Sequence, residues 1–290
     1  MILLNILFLV FFSNNAFSAE MKIDDVKEEF SSLLDKKYIL LPHKGNFLLP
    51  FSYNFKPNHS AQDSLDSGQQ FSERGEFNQN METEFQISFM VLTSRNIFNT
   101  DLNLFVGYTH QAWWQVFNEE WSRPFRETNY APELFVREIF DSPKKFLGLD
   151  YLAYDVGVIH QSNGEIQELS RSWNRIFLRT AFVFGKTFLK ASLWYRIPES
   201  KSKDENRDIY DYLGYGELEI DHFWKKNRFQ LRIIPGTKHQ GAELSYSYPL
   251  SEGIRFFTKA GYGYGLSLLD YSHESQKIGL GFVLSDILTH

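Results

Sequence analysis

The chain has 290 residues, no cysteine, 17% aromatic residues and a formal net charge of −6. Without cysteine there is no disulfide framework, thiolate zinc site or cysteine nucleophile, and mild acidity without a basic stripe argues against a nucleic-acid partner. No run reaches the roughly 18 apolar residues of a membrane helix, and the mean hydropathy of −0.34 has the look of a soluble protein.

The first segment is the most apolar. Residues 1–19 carry no charge and run ILLNILFLVFF into the small and polar SNNAFSA. That is the form of a secretory signal peptide, here without a preceding Lys or Arg, and cleavage is expected after Ser18 or Ala19. Residues 20–44 begin in an acidic, helix-compatible stretch and read as an N-terminal periplasmic segment ahead of a domain spanning 45–288.

From about residue 45 onward the pattern changes to period two. Phe85, Ile87, Phe89 and Val91 alternate with Glu84, Gln86 and Ser88; Ala242, Leu244, Tyr246 and Tyr248 alternate with Glu243, Ser245 and Ser247. This is strand periodicity. Twelve segments follow it: 45–56, 82–94, 101–116, 129–140, 146–162, 172–184, 187–197, 209–221, 225–234, 238–248, 253–267 and 276–285. A soluble β-sandwich and a membrane β-barrel could both use them. Several segments reach the length of about 10 residues that a tilted strand needs to cross a bilayer. An even strand number suits antiparallel closure, and the links alternate between long and short, as in outer-membrane barrels; the 235–237 link is the exception. The expected fold class is therefore all-β, a 12-stranded antiparallel transmembrane barrel. Arg137, Lys190, Arg196, Glu217, Glu219, Glu243 and Lys259 fall on the polar parity, which suits an interior held by hydrogen bonds.

One cluster breaks the rule. In YLAYDVGVIHQS (151–162), Leu152, Tyr154, Val156 and Val158 share a parity that His160 and Ser162 continue. In the next strand Asn174 shares the parity of apolar Ile176, Leu178, Phe182 and Phe184. Three polar groups thus project toward lipid, which costs free energy unless they satisfy one another. Residues i and i+2 of a strand lie about 6.6 Å apart on one face. If the polar loop NGEIQELSR (163–171) is symmetric about Gln167, His160 lies opposite Asn174, with Cβ atoms about 5 Å apart. A nucleophile, a general base and an orienting group are then together, and a neutral amide avoids desolvating a carboxylate beside lipid. There is no G-x-S-x-G elbow, H-E-x-x-H zinc motif or P-loop.

The string HQSNGEIQELSRSWNRIF (160–177), with PFRETNYAPELF (124–135), YTHQAWWQ (108–115), GAELSYSYPL (241–250) and GYGLSLLDY (263–271), resembles the outer membrane phospholipase A family over roughly residues 82–288. The resemblance implies a 12-stranded barrel and a phospholipase A1/A2 activity, a carboxylic ester hydrolase with a serine nucleophile. It matches His160 as general base, Ser162 as nucleophile, Asn174 as the amide that orients His160 and Gly164 as the oxyanion amide. It further implies calcium (Ca2+) dependence and a homodimer, with the metal held by Ser170, the Glu165 main-chain carbonyl and Ser122 of the partner subunit. Oxygen donors of this kind suit a hard cation. Phospholipid is the implied substrate and the cell outer membrane the implied location, with the active site toward the outer leaflet.

The sequence departs from that pattern in places. His110 stands where a family glutamine helps join the dimer, and Leu288 where the family ends on an aromatic. Other conspicuous residues have plainer readings: His273-Glu274 as an exposed loop pair, Gly261, Gly263 and Gly265 as inward strand glycines, Trp113 and Trp114 as interfacial girdle, and 201–207 as a solvated loop. The alternative to an enzyme is a pore or adhesin barrel, which predicts an open lumen.

Overall fold

The computed structural model describes residue 32 and residues 40–59, 78–119, 125–200 and 204–284. Residues 1–19 and Ser122 lie outside these.

Twelve antiparallel strands close on themselves: β1 (Phe47–Asn54), β2 (Met81–Ser94), β3 (Asn103–Trp114), β4 (Phe125–Phe146), β5 (Leu149–Ser162), β6 (Ser172–Phe184), β7 (Thr187–Arg196), β8 (Gly216–Trp224), β9 (Asn227–Pro235), β10 (Gln240–Pro249), β11 (Ile254–Gly263) and β12 (Ser275–Leu284). Each pairs with its sequence neighbours, and β12 pairs with β1 to complete the barrel. Closure leaves no strand edge with unpaired backbone groups, the condition for crossing lipid. Upstream of β1, Leu41–Pro42 pairs with Met90 and Phe89 on β2.

Alternation along each strand decides what faces lipid. On β6, Trp173, Arg175 and Phe177 are buried inward while Ile176 and Leu178 are exposed outward. The outward sets of the other strands, among them Val106, Leu134, Val156, Val158, Leu193, Leu244, Ile278 and Leu280, are exposed as well. They form an apolar belt. At one end the strands join by tight links. Leu147 and Gly148 take φ of 50° and 83° between β4 and β5, and Gly185 and Lys225 both take φ of 56°, the left-handed conformations that tight hairpin turns require. The other end carries the long connections.

Charges of both signs meet inside the barrel, some between neighbouring strands and some between strands that are not paired. Arg126 on β4 bonds Glu82 on β2 and Asp270 in the loop after β11, both at 2.8 Å. Arg232 bridges Glu217 and Glu243 at 2.7 Å each, Lys259 reaches Glu84 and Glu243, and Arg228 meets Asp221 at 2.8 Å. Arg137 pairs with Asp155. A chain segment also enters: His43 and Lys44 lie 3.2 and 2.7 Å from Glu133, which Arg179 contacts as well. Leu41 packs there on Met90, Phe105, Ala131, Phe135, Ile159 and Phe177. Near the long-loop end, Trp173, Ile209, Leu213, Ile234, Leu266, Leu268 and Tyr271 form a second apolar cluster. A cavity of about 550 Å³ remains.

The structure corrects several sequence expectations. Residues 209–221 are not one strand: Ile209–Leu213 form a short helix, α1, before β8 begins at Gly216. Ile209 and Leu213 sit at i and i+4 and are both buried, and Gly214 at φ 60° ends the turn. The fourth strand runs longer than expected, to Phe146. The eleventh stops at Gly263: Gly261 and Gly263 are inward strand glycines as expected, whereas Gly265 (φ 73°) lies in the loop beyond the strand. Trp113 is not in the girdle: it is 1% exposed and faces inward under Arg126 and Lys277, whereas Trp114 packs edge-on against Phe125. His273 and Glu274 are tied to the Lys56 carbonyl and the Lys56 ammonium. Asp204 and Glu205, in the 201–207 run, bond Arg196 and Ser170.

Candidate active site

The β5–β6 hairpin brings the expected residues together. Its register sets His160 opposite Asn174, as the symmetric loop predicts. His160 Nδ1 and Asn174 Oδ1 are 2.9 Å apart. Ser162 is on the same outward face of β5, and its Oγ accepts a hydrogen bond from the Gly164 amide at 3.1 Å. Among the described residues the Ser162 hydroxyl bonds this amide rather than the His160 ring; such catalytic contacts often tighten only with substrate.

The inward side of the hairpin holds it in place. Gln161 Oε1 accepts from Trp173 Nε1 at 3.0 Å and from Arg175 Nη2 at 2.7 Å, and the Arg175 guanidinium lies 3.8 Å over the Trp173 ring. These bonds join the inward residues flanking His160, Ser162 and Asn174, so a register slip would break them. Asn163 then shapes the loop. Its Nδ2 donates to the Leu169 carbonyl at 2.7 Å, and its Oδ1 accepts from the Glu165 and Arg171 amides at 3.2 and 2.9 Å. Gly164 follows at φ 69°, where a Cβ would stand 3.0 Å from the Tyr130 ring. A side chain here would be strained in this conformation and would press on the ring, so glycine suits the position.

Sequence reasoning missed these supporting residues and one more: Asn174 Nδ2 donates to Glu199 Oε1 at 3.0 Å. Glu199 follows β7 and belongs to no motif. Gln161, Trp173 and Arg175 had a readable signal, since they occupy the inward parity of the same strings.

The half-buried Ser170 Oγ donates to Glu205 Oε2 at 2.6 Å, and Glu165 lies in the same loop. A hydroxyl, a main-chain carbonyl and a nearby carboxylate are hard oxygen donors, the kind calcium takes. Among the described residues there is no cluster of three or more His, Asp or Glu side chains that could hold a metal.

His110 projects outward from β3, 5.2 Å edge-on from Tyr130 and 5.9 Å from Phe85, and Tyr130 is the cross-strand partner of both His110 and Ser162. The position expected at a subunit interface is therefore one residue away from the site.

Fold and site define a class: an outer-membrane β-barrel with a hydroxyl, an imidazole and an amide gathered on its lipid-facing side. The chain belongs to the phospholipase A1 family, whose sequence model matches residues 24–284, and it is an enzyme of that family. A putative phospholipase A1 of Neisseria meningitidis is 34% identical over 251 residues, covering 84% of this chain; the chain spans 65% of that relative's length. The solved outer membrane phospholipase A of Escherichia coli superposes with a TM-score of 0.79 at 31% identity, over 89% of this chain and 97% of that one. A Salmonella typhi outer membrane phospholipase, solved as a dimer with bound calcium, matches with the same score, identity and coverage.

Proposed function

We propose that this protein hydrolyses the acyl ester bonds of phospholipids and lysophospholipids in the outer membrane, with Ser162 as nucleophile and His160 as general base. The observation that carries the proposal is the 2.9 Å contact between His160 Nδ1 and Asn174 Oδ1, on the face that also bears Ser162. With Asn174 Oδ1 accepting from Nδ1–H, His160 Nε2 is left free to take the Ser162 proton. Ser162 Oγ then attacks the ester carbonyl. His160 returns the proton to the departing alcohol, and water later releases the fatty acid from the acyl-serine. The Gly164 amide, which points at Ser162 Oγ in the resting site, is placed to donate to the oxyanion once the hydroxyl turns toward His160.

Ser170 and the Glu165 carbonyl would hold a calcium ion together with the partner subunit's Ser122. Bound there, calcium supplies positive charge that favours the developing oxyanion. The protein would then act as a homodimer whose apolar outer faces together cradle the acyl chains, with the site toward the outer leaflet on the long-loop end. The leader over 1–19 would be removed on export. The dimeric, calcium-bound Salmonella relative supports this reading by likeness.

The test is calcium-stimulated fatty-acid release from phospholipid–detergent mixed micelles by the wild type and by Ser162→Ala. Release only by the wild type is expected; equal release by both would sink the mechanism.

A further inference from the structure

We propose that Glu199 is a positioning residue of this site: its carboxylate fixes which way the Asn174 amide faces, and so which tautomer His160 adopts. The proposal rests on the reading of Ser162, His160 and Asn174 given above.

The two ends of an amide are alike in shape and opposite in hydrogen bonding. His160 by itself does not choose between them. If Asn174 Oδ1 faces the ring, Nδ1 must carry the proton and Nε2 is a free base. If Nδ2 faces the ring, Nδ1 must accept, the proton moves to Nε2, and the ring cannot take a proton from Ser162. A carboxylate breaks the tie because it only accepts. Glu199 Oε1 takes the Asn174 Nδ2–H at 3.0 Å, and the flipped amide would set Oδ1 against it.

The backbone delivers Glu199 to this spot. The Ile197 amide donates to the Asn174 carbonyl at 2.8 Å, so the chain leaving β7 stays paired with β6 at Asn174, and Glu199 lies two residues further on. It is half-buried, in the connection between β7 and α1 at the long-loop end. The carboxylate is thereby kept off the apolar belt while remaining one amide away from the imidazole. Its negative charge also favours the imidazolium formed as Ser162 loses its proton.

The experiment measures calcium-supported hydrolysis of a micellar ester by the full-length protein, with heat-modifiable gel migration confirming a folded barrel for each variant. Glu199→Ala should lower kcat roughly tenfold or more while KM stays within about twofold, because the wrong tautomer is inactive but still binds. The decisive comparison is one of sign. In the wild-type background Glu199→Gln removes the charge and lowers kcat. In the Asn174→Asp background the new carboxylate faces Glu199 directly, so Glu199→Gln supplies a donor and raises kcat. A residue that merely braces the loop gives losses in both backgrounds. Glu199→Ala and Glu199→Gln within about twofold of wild type, or a loss with Gln in both backgrounds, overturns the proposal. Full activity in Ser162→Ala would instead overturn the underlying triad, whatever Glu199 does.

Discussion

The barrel holds polar side chains in two places that lipid cannot hydrate, and it treats them differently. In the lumen the groups are charged and paired. Arg126 has Glu82 and Asp270, and Arg232 has Glu217 and Glu243. On the outer face of the β5–β6 hairpin the three groups are a hydroxyl, an imidazole and an amide, and they sit at the end of the belt nearest the long loops. His160 and Asn174 satisfy each other, while the Ser162 hydroxyl holds only a loop amide that it can release. A buried ion pair whose partners are both present is costly to break from either side, so the lumen braces the barrel. A hydroxyl with a single weak partner is free to react. The lumen and the proposed site thus differ in how fully their polar groups are satisfied.

Five experiments press on that contrast. The largest effect is expected from Ser162→Ala, which should reduce phospholipid hydrolysis by about a thousandfold or more without altering gel migration; an active variant would erase the distinction. Chelating calcium from the wild type should lower activity roughly a hundredfold, the scale of losing an oxyanion stabiliser, while the urea unfolding midpoint in micelles stays put. A shifted midpoint with unchanged activity would make the cation a brace instead. Arg126→Ala should do the reverse of Ser162→Ala. It leaves the buried Glu82 with only Lys277 and Gln115 and the buried Asp270 with only Asn58 among the described partners, and should cost about 3 kcal/mol of stability in the same unfolding measurement, with hydrolysis per folded barrel within about twofold of wild type.

Gly164→Ala sharpens the comparison at smaller scale. A methyl group at φ 69° meets the Tyr130 ring and adds backbone strain of about 1 kcal/mol, so a roughly tenfold fall in kcat is expected if the amide must keep its aim. Wild-type kcat in this variant would remove Gly164 from the oxyanion site. The smallest effect concerns the loop end. Burial, together with the hydrogen bond it donates to Asp208, holds the Tyr271 phenol above its ordinary range. A raised folded-state value means the contribution is fully present below about pH 10 and is lost as pH rises beyond it. The Tm of the wild type should therefore fall more steeply above that pH than the Tm of Tyr271→Phe, and parallel curves would contradict the assignment.

Much of the site was legible in the sequence because it lies on one hairpin. Strand parity is a local property, so His160 and Ser162 could be assigned to one face, and the loop's symmetry placed Asn174 opposite His160. Parity also bore on a residue that was read otherwise: the alternation that turns Gln111 inward carries Trp113 with it, against its reading as girdle. Period two misled over Ile209–Leu213, where two buried residues at i and i+4 support a helical turn instead.

What the sequence determined by itself was the alternation that makes a barrel wall, and the hairpin that interrupts its apolar face with a hydroxyl, an imidazole and an amide. Barrel closure and loop packing decided the rest. They set which charges meet across the lumen, brought His43 and Lys44 to Glu133 on β4, and carried Glu199 25 residues along the chain to Asn174. The physical reason is range. Alternation and hairpin register are set between neighbours along one or two strands, and Glu199 is carried by the chain that leaves one such neighbouring pair. Contacts such as Lys259 with Glu84 and Arg126 with Asp270 are instead fixed only when the barrel has closed.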